Sequence, residues 1–241
     1  MLSLYYWPGL PGRGEYVRLV LEEAGVDYVD VARLPKDRGG SHEAIFPFIR
    51  GEAPGLPPLA PPILVDGETV LAQTASICHY LAQRHGLVPD DPASQAAALQ
   101  MAMTIVDLVA ETHDTHHPIA VSQQYEDQMA PAQLRSRHFV SARMPRFMSY
   151  FERVLRHSGG PWLLGETFCY PDLSLAHTID GLRFAFPNGF AHHRAQFPRI
   201  LAHMEQTFAR PRIAAYRSSD RHLPFNNTGI FRNYPELDLP E

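Results

Sequence analysis

Two adjacent prolines, Pro61 and Pro62, open the stretch that most limits what this chain can become: Ala60 to Leu81, APPILVDGETVLAQTASICHYL. Ile63-Leu64-Val65 is a short run suited to a strand, Asp66-Gly67 is a strong tight-turn signal, and Val70-Leu71 supplies a second strand, so the unit reads as a hairpin. Only X–Pro bonds adopt cis at low cost, so Pro61–Pro62 is where a cis peptide is expected. Gln73-Thr74 then meets a helical pattern, with Ile77, Tyr80 and Leu81 apolar and Gly86 as a stop. Thr74 is the expected N-cap, its hydroxyl accepting from a backbone N–H two or three residues on. A helix start carries free N–H groups and a positive dipole end, which suit a small carboxylate, although that alone does not make a site.

Pro62-Ile63-Leu64, Val65-Asp66-Gly67 and Gln73-Thr74, the last pair eleven positions after Pro62, together resemble the glutathione site of the glutathione S-transferases. That family's pattern is a cis-proline, two strands and a Gln-Ser or Gln-Thr pair at a helix start. The pair holds the γ-glutamyl end of glutathione. The resemblance is to a tyrosine-type member, sigma- or mu-like and bacterial-looking. It is firm by motif in the N-terminal part and looser, by helix pattern, beyond it.

The rest of the chain agrees with that architecture. Leu2 to Trp7 reads as a first strand, and Pro8-Gly9-Leu10-Pro11-Gly12 as a loop. Val17, Val20, Leu21 and Ala24 follow at helical spacing before Gly25, and Val26 to Val31 is a second strand. Residues 32–59 are poorly patterned, and the β-β-α unit follows. This order is the thioredoxin-like arrangement, with helices on a small mixed sheet. The segment from Gly86 to Ala93, with Pro89, Asp90, Asp91 and Pro92, is a linker. Helices are expected over 93–116, over 133–157, from about Tyr170, over 198–208 and over 211–216. The tail from Ser218 has little periodicity, and Phe225, Phe231 and Tyr234 are its expected anchors. The expected fold is thus an α/β thioredoxin-like, glutathione-binding domain over 1–86. An all-α domain follows over 93–241, contributing the pocket for a second substrate.

Composition excludes several alternatives. At 241 residues the chain holds ample core, and 45% hydrophobic with 20% charged residues is ordinary for a globular protein. A net charge of −5 offers no general attraction to nucleic acid or to an anionic membrane. The two cysteines, Cys78 and Cys169, form no CxxC and no disulfide framework. No uninterrupted apolar run approaches the ~18 residues that would span a bilayer, and the N-terminus lacks the pattern of a signal peptide. A cytoplasmic protein with neither nucleic-acid nor membrane partner is expected.

The resemblance also implies chemistry. A free thiol has a pKa near ~8.5, so conjugation at neutral pH needs a donor that favours the thiolate. In the tyrosine-type classes that donor is a tyrosine at the end of the first strand. Leu4-Tyr5-Tyr6-Trp7 fits that strand, and Gly12-Arg13-Gly14-Glu15 fits the family's Gly-Arg-Ala-Glu helix start. Counting from the leucine puts Tyr6 at the catalytic position; a loop one residue longer than the sigma pattern leaves Tyr5 as the alternative. Without the motif, both read as core or rim aromatics. The resemblance gives Arg13 the task of lowering the tyrosine pKa, and gives Gln73, Thr74 and the backbone at Pro61-Pro62 the task of holding the tripeptide. Pro61 departs from the pattern. The family's residue before the cis-proline pairs through both N–H and C=O, and proline has no N–H. The tryptophan and lysine of some sigma-like members have no clear match, with Lys36, Arg38 and Arg50 the candidates.

On the long helix, Asp107 and Glu111 share a face, and the resemblance puts the acid that meets the glutathione α-amino group across a homodimer nearer Glu111, with Asp107 one turn earlier. Otherwise they are solvated helix charges. His113 and His117 are one turn apart, at metal-ligand spacing, with His116 beside them. Among 13 histidines such clustering is expected by chance, so no metal is assigned, and their expected place is the lining of the second-substrate pocket. Cys169-Tyr170-Pro171-Asp172 stands at the family's helix-capping box, with Cys169 a poor cap.

The implied function is a glutathione transferase, with glutathione as substrate, no cofactor, and a hydrophobic electrophile bound between the domains. The alternatives are a non-catalytic protein of the same fold and a glutathione-dependent isomerase or peroxidase.

Overall fold

Four short strands form one mixed sheet: β1 (Leu2–Tyr5), β2 (Tyr28–Asp30), β3 (Ile63–Asp66) and β4 (Thr69–Ala72), in the order β2-β1-β3-β4. β1 runs parallel to β2 and antiparallel to β3, and β3 and β4 are the expected hairpin. Gly67 turns it with a φ of 59°, a value that glycine adopts without a Cβ penalty. The structure, a computed structural model, describes residues 1–240. Helix α1 (Gly12–Ala24) links the parallel pair, and α3 (Thr74–Arg84) follows the hairpin. The poorly patterned stretch between β2 and β3 holds three 3₁₀ turns and one short helix, α2 (Phe46–Ile49).

The remaining helices are α4 (Pro92–His113), α5 (Met129–His138), α6 (Met144–Ser158), α7 (Tyr170–Ala185), α8 (Pro187–His193), α9 (Pro198–Phe208) and α10 (Pro211–Arg217). The helix expected over 133–157 is continuous from Met129 to Ser158, with α5 and α6 running through a wider π-type turn at Phe139–Arg143. Such a turn takes up one extra residue, which a single helical period does not reveal.

The chain divides into two compact units. The first is Met1–Asp90 with Pro211–Pro224; the second is Asp91–Arg210 with the tail from Phe225. The division expected at the linker therefore omits one return: α10 belongs with the sheet. Its attachment is specific. Arg212 Nη1 donates to the Glu23 carbonyl at 2.8 Å, and the Tyr216 hydroxyl donates to Glu15 Oε1 at 2.8 Å.

In the first unit Leu4, Val17, Val20, Leu21, Ile63, Leu64, Ile77 and Leu81 form an apolar core, as their spacing requires. Within it lie two charges, Glu15 and Arg18, each fully buried. Arg18 Nε donates to Asp30 Oδ2 at 2.7 Å and Nη1 to Glu15 Oε2 at 3.2 Å. Nη1 also reaches the carbonyls of Pro11 and Leu10, at 3.4 and 3.5 Å. Burial opposes the charge on Arg18, but Asp30 and Glu15 outweigh it and hold the pKa above its ordinary value.

In the second unit α7 is buried along nearly its whole length. The hub of this unit is Asp172, also fully buried. It accepts from the N–H groups of Leu163 (2.9 Å) and Cys169 (2.7 Å), from the Cys169 thiol (3.2 Å) and from His203 Nε2 (2.8 Å). The capping box at Cys169 is therefore complete, with the carboxylate as its main acceptor. The tail is well anchored: Tyr234 stacks on Tyr125 at 4.0 Å, and Phe231 sits where a Cβ on Gly181 would lie 2.4 Å from its ring. Asp238 accepts from the N–H groups of Asn188 and Gly189 at the start of α8.

The expectation that no segment is long and apolar enough to cross a membrane needs correction. By length and composition α4 qualifies. Counting uninterrupted apolar residues misses it, because its polar residues fall between apolar ones. Its buried positions, Ala98, Met101, Ala102, Ile105, Leu108 and Val109, recur at helical spacing, and α4 packs against α7.

Arg18→Ala is expected to cost about 3–5 kcal/mol, because it leaves Glu15 and Asp30 uncompensated. Arg221→Ala, which breaks a pair between Glu22 and a largely exposed arginine, should cost at most about 1 kcal/mol. Urea unfolding of both variants, compared with the parent protein, checks this difference.

Candidate active site

Strand register brings the site together. Tyr5 pairs with Ile63, and Ile63 pairs with Ala72. The residues that follow or precede those rungs are Tyr6, Pro62 and Gln73, so three neighbouring strands deliver them to one end of the sheet. The N-termini of α1, at Gly12, and of α3, at Thr74, continue from two of these strands. A helix start presents N–H groups without intrahelical acceptors and a positive dipole end. The end of the sheet therefore offers donors and little negative charge.

Tyr6 is 5% exposed, and its hydroxyl accepts the backbone N–H of Arg13 at 2.8 Å. Two glycines make room for it. A Cβ on Gly12 would lie 2.3 Å from the Tyr6 hydroxyl, and one on Gly14 would lie 2.6 Å from the ring. Gly12 also has a φ of 43°. Arg18 lies 5.8 Å from the centre of the same ring. Burial pushes the Tyr6 pKa above its ordinary value, opposed by the Arg13 N–H and by the charges of Arg13 and Arg18. The net direction differs from the lowering expected from Arg13. Tyr6 thus stays protonated at neutral pH, and the bond it accepts leaves its own proton free to be donated. Tyr5 points to the other face, as strand alternation requires, and packs on Phe48 at 4.8 Å.

The Pro61–Pro62 bond is cis, and both residues are buried. Gln73 has a φ of 69°, the one positive φ outside glycine among the described residues. Such a conformation costs of order 1–3 kcal/mol and persists where the surroundings enforce it, often at ligand sites. The N-cap of α3 is Gln73, and Thr74 is the first helical residue, which corrects the capping role expected of Thr74. Its Oγ1 is shielded from solvent with no partner in the chain. An unpaired buried hydroxyl beside the first N–H groups of a helix is a ready donor to a carboxylate.

Comparison with known proteins bears on this arrangement. Residues 113–220 match the family model described as the glutathione S-transferase C-terminal domain. A glutathione S-transferase of Plasmodium yoelii yoelii is 24% identical over 205 residues, covering 85% of this chain and 88% of that protein. Glutathione S-transferase A4 of Bos taurus is 28% identical over 194 residues, covering 76% of this chain and 75% of its own length. Among solved structures, the Pi-class glutathione S-transferase of Onchocerca volvulus aligns over 95% of this chain and 98% of its own, at 20% identity and a TM-score of 0.71.

The fold is that of the glutathione S-transferases. These relatives come from a malaria parasite, cattle and a nematode, which lends no support to the bacterial character expected.

Within the transferase fold the other expected residues fall as follows. Arg13 meets Tyr6 through its main chain. Lys36 and Arg38 are exposed on a 3₁₀ turn, and Arg50 pairs with Glu52 at 3.7 Å over the Phe46 ring. Asp107 is exposed on α4, whereas Glu111 is taken up within its own unit. Its Oε2 and Oε1 accept from Arg143 Nε at 2.9 and 3.1 Å, and Arg135 lies 3.8 Å away. The bond from Arg143 holds the Glu111 carboxyl below the usual range. His113, His116 and His117 cluster at the end of α4.

Arg18 and its partners were not foreseen as part of the site's support. The available signal was a Glu-x-x-Arg pair, Glu15 and Arg18, set on the otherwise apolar stripe of Val17, Val20 and Leu21.

Gly14→Ala is expected to cost about 1–3 kcal/mol through overpacking against Tyr6. Gly9→Ala, with nothing within 4 Å of its added Cβ, should lie within about 0.5 kcal/mol of the parent. Thermal and denaturant unfolding of the two variants measure the contrast.

Proposed function

We propose that this chain is a glutathione transferase of the tyrosine type, sigma- or mu-like, that transfers the glutathione thiolate to a hydrophobic electrophile. The observation that carries the reading is the Tyr6 hydroxyl, held beside the start of α1 by the Arg13 N–H at 2.8 Å. In this reading the thiol loses its proton to solvent, and Tyr6 donates a hydrogen bond to the sulfur anion that remains. The sulfur then attacks the electrophilic carbon, forming an S–C bond as the leaving group departs with its electron pair or, in an addition, as the activated double bond gives its electrons to the substrate and takes up a proton from solvent. Holding the thiolate lowers its pKa, so more of it is ionised at neutral pH. Arg13 and Arg18 add positive potential around the ring. Gln73, the Thr74 hydroxyl and the first N–H groups of α3 receive the γ-glutamyl carboxylate, and the Pro61 carbonyl takes the cysteinyl N–H.

The same reading makes the protein a homodimer. On α4, Leu99 and Met103 are 37% and 49% exposed and one turn apart, with Asp107 one turn further on. Asp107, rather than the arginine-paired Glu111, is the acid free to meet the α-amino group in a partner's site. A reducing cytoplasmic setting suits the two buried free thiols, Cys78, pushed up to about 12 by burial, and Cys169. The name transferase and the substrate glutathione, carried by the relatives, agree with this proposal.

Pro61 favours a second reading, a non-catalytic protein of this fold, since it removes one hydrogen bond to the tripeptide. A thiolate titration separates the two. With glutathione bound, ultraviolet absorbance against pH should give a midpoint well below ~8.5, returning towards it in Tyr6→Phe. The variant should also lose about 10²-fold or more in kcat/KM towards a test electrophile. An unshifted midpoint in the parent protein would favour the non-catalytic reading.

Sedimentation tests the dimer. Met103→Arg is expected to turn a dimeric parent into a monomer at micromolar concentration with its circular dichroism unchanged. A parent that already sediments as a monomer would end the assignment of Asp107.

A further inference from the structure

Where α4 ends, three imidazoles gather. One ring nitrogen from each of His113, His116 and His117 lies within 4.8 Å of the other two. The rings of His113 and His117 stack at 5.1 Å, and His116 meets each of them edge-on at 4.9 Å.

The strongest feature is His116. It is 1% exposed, and its Nε2 is 2.8 Å from the Ile230 carbonyl. A carbonyl only accepts, so Nε2 carries the proton and Nδ1 keeps a lone pair. That Nδ1 is buried and has no hydrogen-bond partner. A histidine that donates one ring N–H to a backbone carbonyl and leaves the other nitrogen bare has the arrangement that fixes tautomer and ring orientation in metal ligands.

His117 is also able to turn. Its Nδ1 is 3.2 Å from Gln128 Nε2. Both N–H groups of that amide have other acceptors, the carbonyls of Ala120 at 3.0 Å and Gln123 at 3.2 Å. Rotating His117 towards His116 therefore leaves the Gln128 amide satisfied, and gives up the contact between the His117 ring and the Gln123 carbonyl in exchange for the ion. His113, half-buried at the last turn of α4, lies at the negative end of a helix dipole, which favours a cation. Against this stands Arg232, whose charge is felt by His116 and His117. Its Nε is held by the Gly229 carbonyl at 2.9 Å, so the guanidinium is tethered there.

We propose that His113, His116 and His117 form a three-imidazole site for a divalent transition ion, with Zn²⁺ as its type ligand. Imidazole nitrogens suit zinc, copper, nickel and cobalt, and exclude magnesium and calcium, which take oxygen. Zinc–nitrogen bonds of ~2.0–2.1 Å place tetrahedral ligands roughly 3.4 Å apart, so the cluster must close by about 1.5 Å. Rotation of His113 and His117 about their side-chain bonds supplies that closure. Three protein ligands leave a position for water or for an anion. This reading departs from the pocket-lining role and the absence of metal expected from the sequence, and it is independent of the transferase proposal.

The test is a titration of the untagged protein, without glutathione, with Co²⁺ followed by Zn²⁺. One equivalent of Co²⁺ should give the visible d–d bands of a low-coordinate nitrogen site, and Zn²⁺ should bleach them. His113→Ala and His117→Gln, the less buried pair, should each weaken binding by at least about 10-fold with circular dichroism unchanged. If one variant fails to fold, the other decides. Bands absent from the parent protein, or titrations of the folded variant that superimpose on it, would overturn the proposal and assign any uptake to the remaining histidines.

Discussion

The buried guanidinium of Arg18 is the interaction on which the rest of the first unit depends. A charge taken wholly out of water is tolerated only when it is paired and hydrogen-bonded. Arg18 meets that requirement through Nε and Nη1, with Nη2 left without a hydrogen-bond partner, and its partners are Glu15 on its own helix, Asp30 at the end of β2, and two carbonyls of the loop before α1. Glu15 in turn binds Tyr216 on α10. One side chain thus fixes the helix start, the outer strand and the returning helix. The position of the α1 N-terminus follows, and with it the Arg13 N–H that holds Tyr6. The catalytic geometry proposed here is downstream of an ion cluster that touches no substrate.

The second unit solves a similar problem with the opposite charge. Asp172 is buried without a guanidinium and is satisfied by main-chain N–H groups, a thiol and His203. Its carboxylate sits at the start of α7, where the helix dipole favours it. The two hubs differ in what they tie. Arg18 gathers groups within twelve residues of itself and reaches the distant α10 only through Glu15 and Tyr216, whereas Asp172 closes a local cap and draws in α9 directly through one imidazole. Neither hub is at the surface, where an ion pair would be worth little.

Much of this was legible in the sequence. Pro61-Pro62, the Asp66-Gly67 turn and the two short apolar runs on either side of it specify the β-β-α unit, because the tight turn fixes how the two strands pair. The long helices follow from apolar spacing, with α4 and α9 within a few residues of expectation. Other features depend on tertiary context. Thr74 reads as a cap because hydroxyls cap helices, but Gln73, at a φ no propensity favours, takes that place. The choice between Tyr5 and Tyr6 rests on where β1 stops, a matter of one residue, and alternation turns that residue into a change of face. The burial of Arg18 shows locally only as a Glu-x-x-Arg pair on an apolar stripe, and the return of α10 is a long-range fact with no local pattern.

Pro61 and Tyr6 show how separable binding and reaction are in such a site under the proposed function. A missing N–H beside the cysteinyl group withdraws one hydrogen bond, worth about 0.5–1.5 kcal/mol net, from the bound tripeptide. That bond would form equally in the bound thiol and in the transition state, so its absence falls on KM. The Tyr6 hydroxyl acts only once the sulfur is negative, and its removal falls on kcat. What Pro61 withdraws can be offset by the Thr74 hydroxyl and the start of α3, which meet the other end of the ligand. Tyr6 owes its place to Gly12 and Gly14, where an added Cβ would lie 2.3 Å from its hydroxyl and 2.6 Å from its ring. Under the proposed function, the change at Pro61 leaves the reaction in place, whereas a change at Tyr6 or at the two glycines beneath it removes the thiolate donor itself.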